Sequence, residues 1–187
     1  KKFVASKRAA FAGVGIQIDT STVHPRLMPF QRDIVRWACA KGRCAVFADT
    51  GLGKTYIQLE WARLMGKNTL IIAPLTVARQ TVRMAKDIGL DVRYVRSQDQ
   101  VTPGHALWIT NYEMLEHFDA SEFGAVVLDE SSILKALDGK TRRLLTEMFA
   151  DTPYRLACTA TPAPNDRTEI GNHAEFLGIC KMNEMLA

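Results

Sequence analysis

The stretch CAVFADTGLGKTYIQL, Cys44 to Leu59, decides the fold. It begins in a short apolar run, RCAVFA (43–48). Beyond Gly53 its apolar residues keep helical spacing, with Ile57, Trp61 and Leu64 on one stripe closed by Gly66. A strand passing into a helix through ADTGLGKT is the setting of a phosphate-binding loop. Gly51 and Gly53 let backbone N–H groups turn inward around phosphate oxygens, and the helix N-terminus adds partial positive charge. Lys54 is placed to reach β- and γ-phosphates, and the Thr55 hydroxyl to coordinate Mg²⁺. Thr50, Gly51, Leu52, Gly53, Lys54 and Thr55 are therefore the candidate nucleotide site. Ala48 stands where the usual pattern begins with glycine; that position ends the strand, so a small residue with ordinary φ serves. The alternative is a glycine-containing turn that happens to carry Lys-Thr. The strand before, the helix after and the complete GKT ending weigh against it.

Similar runs recur along the chain: NTLIIA (68–73), VRYV (92–95), ALWIT (106–110), AVVLD (125–129) and YRLACT (154–159). Several are apolar throughout, as parallel strands covered on both faces require. Between them Val77, Thr81, Ala85 and Ile88 make a second helical stripe ended by Gly89. Leu144, Leu145 and Met148 fit a third helix, and Ile170, Ala174 and Leu177 a fourth. Alternating strand and helix predicts right-handed crossovers and an α/β fold: a doubly wound, mainly parallel sheet in three layers, α/β/α. No repeat or linker divides the chain; residues 1–25 read as an N-terminal extension and 26–187 as one domain.

A phosphate loop needs a partner that holds Mg²⁺ and activates water. AVVLDESS supplies both, because an apolar strand ends in Asp129 and Glu130 follows. Asp129 can hold the metal through a coordinated water, and Glu130 can polarise the attacking water as general base. The next strand ends in CTATP, where Thr159 and Thr161 can bond toward the γ-phosphate or Glu130. Taken alone, Asp-Glu is often a solvated turn and Thr-Pro a capped strand end; the upstream GKT makes the set specific.

In this order the GKT loop, Asp-Glu and Thr-Ala-Thr-Pro resemble a superfamily 2 helicase. More narrowly they resemble the first RecA-like lobe of the Swi/Snf-type branch and its phage and bacterial relatives. LMPFQRDIVRWA is similar to that branch's Q motif, which implies that Gln31 reads the adenine edge. IIAPLTVARQ resembles motif Ia and ITNYEML motif Ib, which implies backbone contacts to nucleic acid through Pro74, Thr76, Thr110 and Asn111. LDESS stands where most relatives carry Asp-Glu-Ala-His, with Ser132 in place of the histidine. TATPAPND resembles motif III, which implies that Thr159 and Thr161 couple nucleotide state to nucleic-acid binding. The resemblance also implies a P-loop NTPase with catalytic Lys54, Asp129 and Glu130, metal held by Thr55 and Asp129, and ATP with Mg²⁺. Double-stranded DNA bound without base readout, a second RecA-like lobe as partner, and a cytoplasmic protein of bacterial or phage origin are implied as well.

Independently of that likeness, Arg79, Arg83 and Lys86 fall at i, i+4 and i+7, a basic stripe able to meet phosphates or simply to face solvent. Arg142 and Arg143 make a weaker version. The short stretch after Pro162 reads as one helix, too little for a second lobe. An arginine finger from such a lobe is worth on the order of 10³–10⁵ in rate, so the chain by itself is expected to bind ATP·Mg²⁺ weakly and hydrolyse it barely.

The bulk properties agree with this reading. The 47% hydrophobic and 24% charged fractions describe a globular chain. No apolar run approaches the roughly 20 residues that span a bilayer. The basic start, KKFVASKRAAFAGVGI, has an apolar part too short and glycine-broken for a leader. Cys39, Cys44, Cys158 and Cys180 form no CxxC pair, and the four histidines show no metal spacing. A net charge of +4 tolerates a polyanion without arguing for one. Two other readings remain at this stage. Another phosphate-loop NTPase or nucleotide kinase would need an arginine-bearing lid that is not seen, and a non-hydrolysing regulatory module has no physical need for Glu130.

Overall fold

Runs such as NTLIIA and AVVLD offer no polar face, so they lower their free energy only inside a sheet covered on both sides. A computed structural model of the chain describes residues 13–135, 140–162 and 170–181. It holds helix α1 (Pro29–Lys41), strand β1 (Arg43–Phe47), α2 (Lys54–Met65), β2 (Thr69–Ala73), α3 (Leu75–Lys86), β3 (Arg93–Tyr94) and β4 (Leu107–Asn111). Then follow β5 (Ala125–Asp129), α4 (Lys140–Met148), β6 (Tyr154–Thr159) and α5 (Ile170–Phe176). The strands form one six-stranded sheet in the order β1-β6-β5-β2-β4-β3. Every neighbouring pair is parallel. This is the predicted α/β architecture. The run 92–95 contributes only the two-residue edge strand β3, paired through Arg93 and Tyr94 to Trp108 and Ile109.

Strand side chains alternate between two cores, as a period of two requires. Ile71, Ala73, Ala125 and Val127 join Val35, Ile57, Trp61 and Ala85 beneath α1, α2 and α3. Leu70, Ile72, Val126 and Leu128 face the other layer, with Leu145 of α4, Phe149 just after it and Phe176 of α5. Each layer hides one face of the sheet, which makes the three-layer arrangement. Cys39, Cys44 and Cys158 lie inside it as free thiols, and burial pushes the Cys39 and Cys44 thiols up to about 12.

Helix α1 was not among the stripes seen in the sequence. It buries Gln31, Val35, Ala38 and Cys39 at i, i+4, i+7 and i+8, but Phe30 and Trp37 point outward at 41% and 47% exposure and blur that pattern. Pro29 opens the helix, and Gly42 at φ 69° closes it. The N–H groups of Val14, Gly15 and Ile16 donate to the carbonyls of Lys41, Ala40 and Cys39 at its end. Helix α2 is buried on most of its circumference, including Gln58 and Glu60. The Glu60 carboxylate is satisfied by Arg63, at 2.6 and 2.8 Å, and by the His24 N–H at 2.7 Å. Arg63 in turn donates to Thr22 O, so this pair ties the segment before α1 to α2.

Helix α5 is fastened to the sheet by Arg155 of β6, only 3% exposed. Its guanidinium donates to Thr152 O at 2.9 Å, to Phe176 O at 2.6 Å and to Ala150 O. Burial lowers its pKa to about 10, with the Arg43 charge adding to the effect. Among the described residues no helix is long and apolar enough to cross a membrane. Arg155→Met strands three carbonyls without a donor, and each buried acceptor left unpaired costs roughly 1–3 kcal/mol. The expected loss is about 3 kcal/mol of unfolding free energy, read as a lower urea midpoint at unchanged slope.

Candidate active site

Parallel pairing delivers the carboxyl ends of β1, β6 and β5 side by side, and the candidate residues sit in the loops that leave them. After β1, Ala48 extends the ladder by donating its N–H to Thr159 O at 3.2 Å. The loop then turns through Gly51 at φ 86° and Gly53 at φ 74°, conformations an L side chain adopts only with strain. Gly53 has a second reason to be glycine: a Cβ there would stand 2.3 Å from Gln31 Nε2. Gly51 has no atom within 4 Å of such a position. Thr50, Gly51 and Leu52 are exposed at the turn, while Thr55 is half-buried in the first turn of α2. Lys54 Nζ donates to Ala48 O at 2.8 Å and Asp49 O at 3.1 Å, lying across the loop.

Gln31 is nearly buried beneath this turn. Its Oε1 accepts the Met28 N–H at 2.9 Å, which caps α1, and its Nε2 donates to Leu52 O at 3.0 Å. Both ends of the amide are bonded to the chain, so reading an adenine edge requires exchange of one of these bonds. What the structure adds is a clamp between α1 and the loop.

Asp129 ends β5 at 5% exposure. Its Oδ1 accepts the Glu130 N–H at 3.0 Å, whereas Oδ2 is buried without a hydrogen-bond partner. Burial raises its pKa, opposed by Gln58, by the Glu130 N–H and by the Lys54 charge. The Gln58 amide acts at longer range than a formed bond, since neither of its polar atoms has a partner. Tyr112 donates its hydroxyl to Asp129 O at 2.8 Å and so fixes the strand end from the turn after β4.

Glu130 is the single non-glycine residue with positive φ among the described residues, at 57°. That conformation costs of order 1–3 kcal/mol and survives only where neighbours enforce it. Its Oε1 accepts Ser132 Oγ and Thr159 Oγ1, each at 2.9 Å, and Thr159 Oγ1 also accepts the Thr161 N–H at 3.1 Å. The structure thus brings Glu130 and Thr159 into contact, while Thr161 stands exposed beyond them. One residue on, Ser131 is buried against His173 of α5, Oγ to Nε2 3.0 Å.

The residues expected to meet nucleic acid divide. Thr76 and Arg79 are exposed at the start of α3, Pro74 is half-buried as its cap, and Arg83 and Lys86 continue the exposed stripe. Thr110 is corrected: it is wholly buried in β4, and its hydroxyl never reaches the surface. Asn111 is 5% exposed, and its amide is bonded to Tyr94 and Glu113, so it too is an internal residue. Both face inward because β4 is covered on both sides. Arg142 is engaged with Asn172 Oδ1 at 2.7 Å, and residues 163–166 of TATPAPND lie outside the described residues.

No family model matches the chain. Over 173 residues it is 30% identical to the SWI/SNF-related matrix-associated actin-dependent regulator of chromatin subfamily A-like protein 1 of Drosophila melanogaster, covering 86% of this chain and 23% of that protein. It is 28% identical to the DNA repair and recombination protein RAD54B of Gallus gallus, covering 92% of this chain and 23% of that one. Its homologues are SWI/SNF-family helicases. The chain spans about a quarter of the length of these relatives, 23% in both cases. Among solved structures, the Sulfolobus solfataricus SWI2/SNF2 ATPase core in complex with dsDNA superposes with TM-score 0.74 at 19% identity, over 88% of this chain and 38% of that one. The UvsW helicase of bacteriophage T4 gives TM-score 0.63 at 14% identity, over 96% and 64%. These likenesses establish the RecA-like fold of helicase lobes.

Against a Swi/Snf lobe the donor set suits Mg²⁺. Among the described residues no three His, Cys, Asp or Glu side chains gather into a metal cage. Mg²⁺ beside phosphates takes only one or two protein oxygens, and Asp129 Oδ2 is a buried oxygen in want of a partner. Gln58, Tyr112, Ser131 and His173 escaped sequence reading. Gln58 alone left a signal, as a polar residue on the buried stripe of α2 one turn after Lys54.

The raised pKa of Asp129 has a stability consequence. The unfolded carboxyl ionises first, so stability falls as pH climbs from the ordinary carboxylate range to the raised folded value, and the deficit is complete above it. Asp129→Asn is expected to raise Tm at neutral pH, with the gain vanishing as pH drops below the ordinary range. A Tm that falls at neutral pH contradicts a destabilising carboxylate.

Proposed function

We propose that the chain is the ATP-binding lobe of a nucleic-acid-dependent ATPase of the Swi/Snf branch, acting on double-stranded DNA when joined to a second RecA-like lobe. The observation that carries this reading is the convergence of the glycine loop, Asp129–Glu130 and Thr159 on adjacent strand ends, with Glu130 bonded to Thr159. The names of the relatives, a chromatin regulator and a DNA repair protein, and of the neighbour held with dsDNA support DNA as the substrate track.

In this reading Thr50 to Thr55 wrap the triphosphate with backbone N–H groups. Lys54 exchanges its loop carbonyls for the β- and γ-phosphate oxygens, a charge-assisted gain. Gln31 reads the adenine edge by exchanging one of its two amide bonds, to Leu52 O or from Met28 N–H, for the base. Thr55 and Asp129 would hold Mg²⁺, which when bound would supply positive charge against the phosphates. Glu130 accepts the proton of the attacking water. Thr159 and Ser132 orient its carboxylate, and Thr161 extends that link toward the exposed side. Pro74, Thr76 and Arg79, with Arg83 and Lys86, bind the DNA backbone without reading bases. The second lobe supplies the arginines, so the lobe alone turns over slowly.

ATPase assays with the two-lobe parent protein test this. Double-stranded DNA is expected to stimulate turnover. Lys54→Ala should abolish nucleotide binding. Glu130→Gln should retain binding while lowering kcat by roughly 10²–10⁴, the usual worth of a general base. Turnover indifferent to nucleic acid would instead favour another phosphate-loop NTPase or a kinase. Unchanged kcat in Glu130→Gln would remove the proposed base.

A further inference from the structure

Glu130 holds a left-handed backbone that an L residue does not choose for itself, so something must enforce it. Upstream the enforcement is visible: Asp129 is laddered to Cys158 of β6, and its carbonyl takes the Tyr112 hydroxyl. On the side-chain end, Ser132 and Thr159 hold the carboxylate. Downstream, the chain enters a 3-10 helix (Ser131–Lys135), with Ile133 N–H donating to Glu130 O at 3.2 Å and Ser132 Oγ donating to the same carbonyl at 3.4 Å. A further anchor is Ser131, whose side chain is hydrogen-bonded to His173.

We propose that His173 is a positioning residue for Glu130, acting through Ser131. The inference rests on the reading of Glu130 as general base and goes beyond it in naming what holds that base. Ser131 is 0% and His173 1% exposed, so water does not compete for their bond. Either ring tautomer can make it, since a serine hydroxyl both donates and accepts. The His173 ring also packs edge-on against Phe47, with centroids 5.3 Å apart and planes at 83°. Phe47 is the last residue of β1, directly before the phosphate loop. In the sheet, β6 lies between β1 and β5, and neighbouring strands stand roughly 4.8 Å apart. The two strand ends are thus too distant to touch directly. A side chain arriving from outside the sheet spans them, and α5 provides it.

Helix α5 is well placed to transmit rigidity. Phe176 is fully buried, Arg155 holds its carbonyl, and Asn172 accepts from Arg142. The imidazole therefore enters the site from a fixed base and meets the turn through Ser131. Its role is geometric: it sets the direction in which residue 131 leaves the turn, and with it the aim of the preceding carboxylate. A displacement near 1 Å of a reacting group costs on the order of 10²-fold in rate, so loss of one such anchor should be visible kinetically.

The test uses the full-length protein at saturating double-stranded DNA. His173→Leu keeps an apolar side chain against Phe47 and removes the ring nitrogens; kcat should drop about tenfold, with KM for ATP within about twofold of wild type. His173→Gln, which can still bond Ser131, should recover most of the rate. Ser131→Ala should reproduce the loss, and the double variant should add nothing to it. Amide exchange over residues 128–135 should quicken in His173→Leu and Ser131→Ala but not in the Gln variant. Unchanged kcat and exchange in both variants, or losses that multiply in the double variant, overturn the proposal and leave His173 as core filling. A rise in KM at constant kcat also overturns it. Should His173→Leu fail to fold, Ser131→Ala breaks the same bond by removing one hydroxyl. If wild type and Glu130→Gln hydrolyse ATP equally, it is the reading of Glu130 that fails. The exchange data then decide alone whether His173 holds the turn.

Discussion

Parallel pairing of β1, β6 and β5 is the constraint on which the rest of this molecule depends. Because all three strands run in one direction, their carboxyl ends open on the same edge of the sheet. The loop that follows β1, the acidic turn that follows β5 and the threonines that follow β6 are then neighbours without further arrangement. The ladder even continues into the site, where Ala48 N–H meets Thr159 O. An antiparallel β6 would have put Thr159 at the far end of the sheet and left Glu130 without its partner.

The price of this convergence is concentrated polarity and strain. Close together the structure buries an unpartnered Asp129 oxygen and an unbonded Gln58 amide, beside a half-buried glutamate with positive φ. Each opposes folding, and a buried carboxylate whose pKa is raised, as that of Asp129 is, marks a place where charge is to be handled. The stabilisation comes from elsewhere. Two apolar cores sandwich the sheet, Glu60 and Arg63 secure the segment before α1, and Arg155 fastens α5. Such a division lets the strand ends remain poised while the body stays rigid.

Tertiary packing also reassigns residues that local pattern treats alike. Thr76 and Thr110 both close apolar segments, yet the first begins an exposed helix and the second sits in a strand covered on both faces. Gln31 follows an exposed Met-Pro-Phe stretch, yet its side chain turns inward to clamp Leu52. Helix α1 hid behind outward-facing Phe30 and Trp37, because a solvent-exposed aromatic in a helix breaks the apolar stripe that reveals it.

Strand positions, the alternation with helices and the glycine turn between β1 and α2 were legible in the sequence because they depend on local spacing. Apolar runs of about five residues make strands that must be covered, glycines mark left-handed turns, and GKT needs only the helix behind it. The Asp-Glu pair was legible for the same reason, as the end of one such run. Strand order, by contrast, is a long-range property, and it alone brought Thr159 to Glu130 and Tyr112 to Asp129. Ser131 and His173 are 42 positions apart and belong to no shared pattern. Only the packing of α5 across the ends of β1 and β5 made them a pair, since a contact between distant elements is set by how layers stack and leaves no mark in residue spacing.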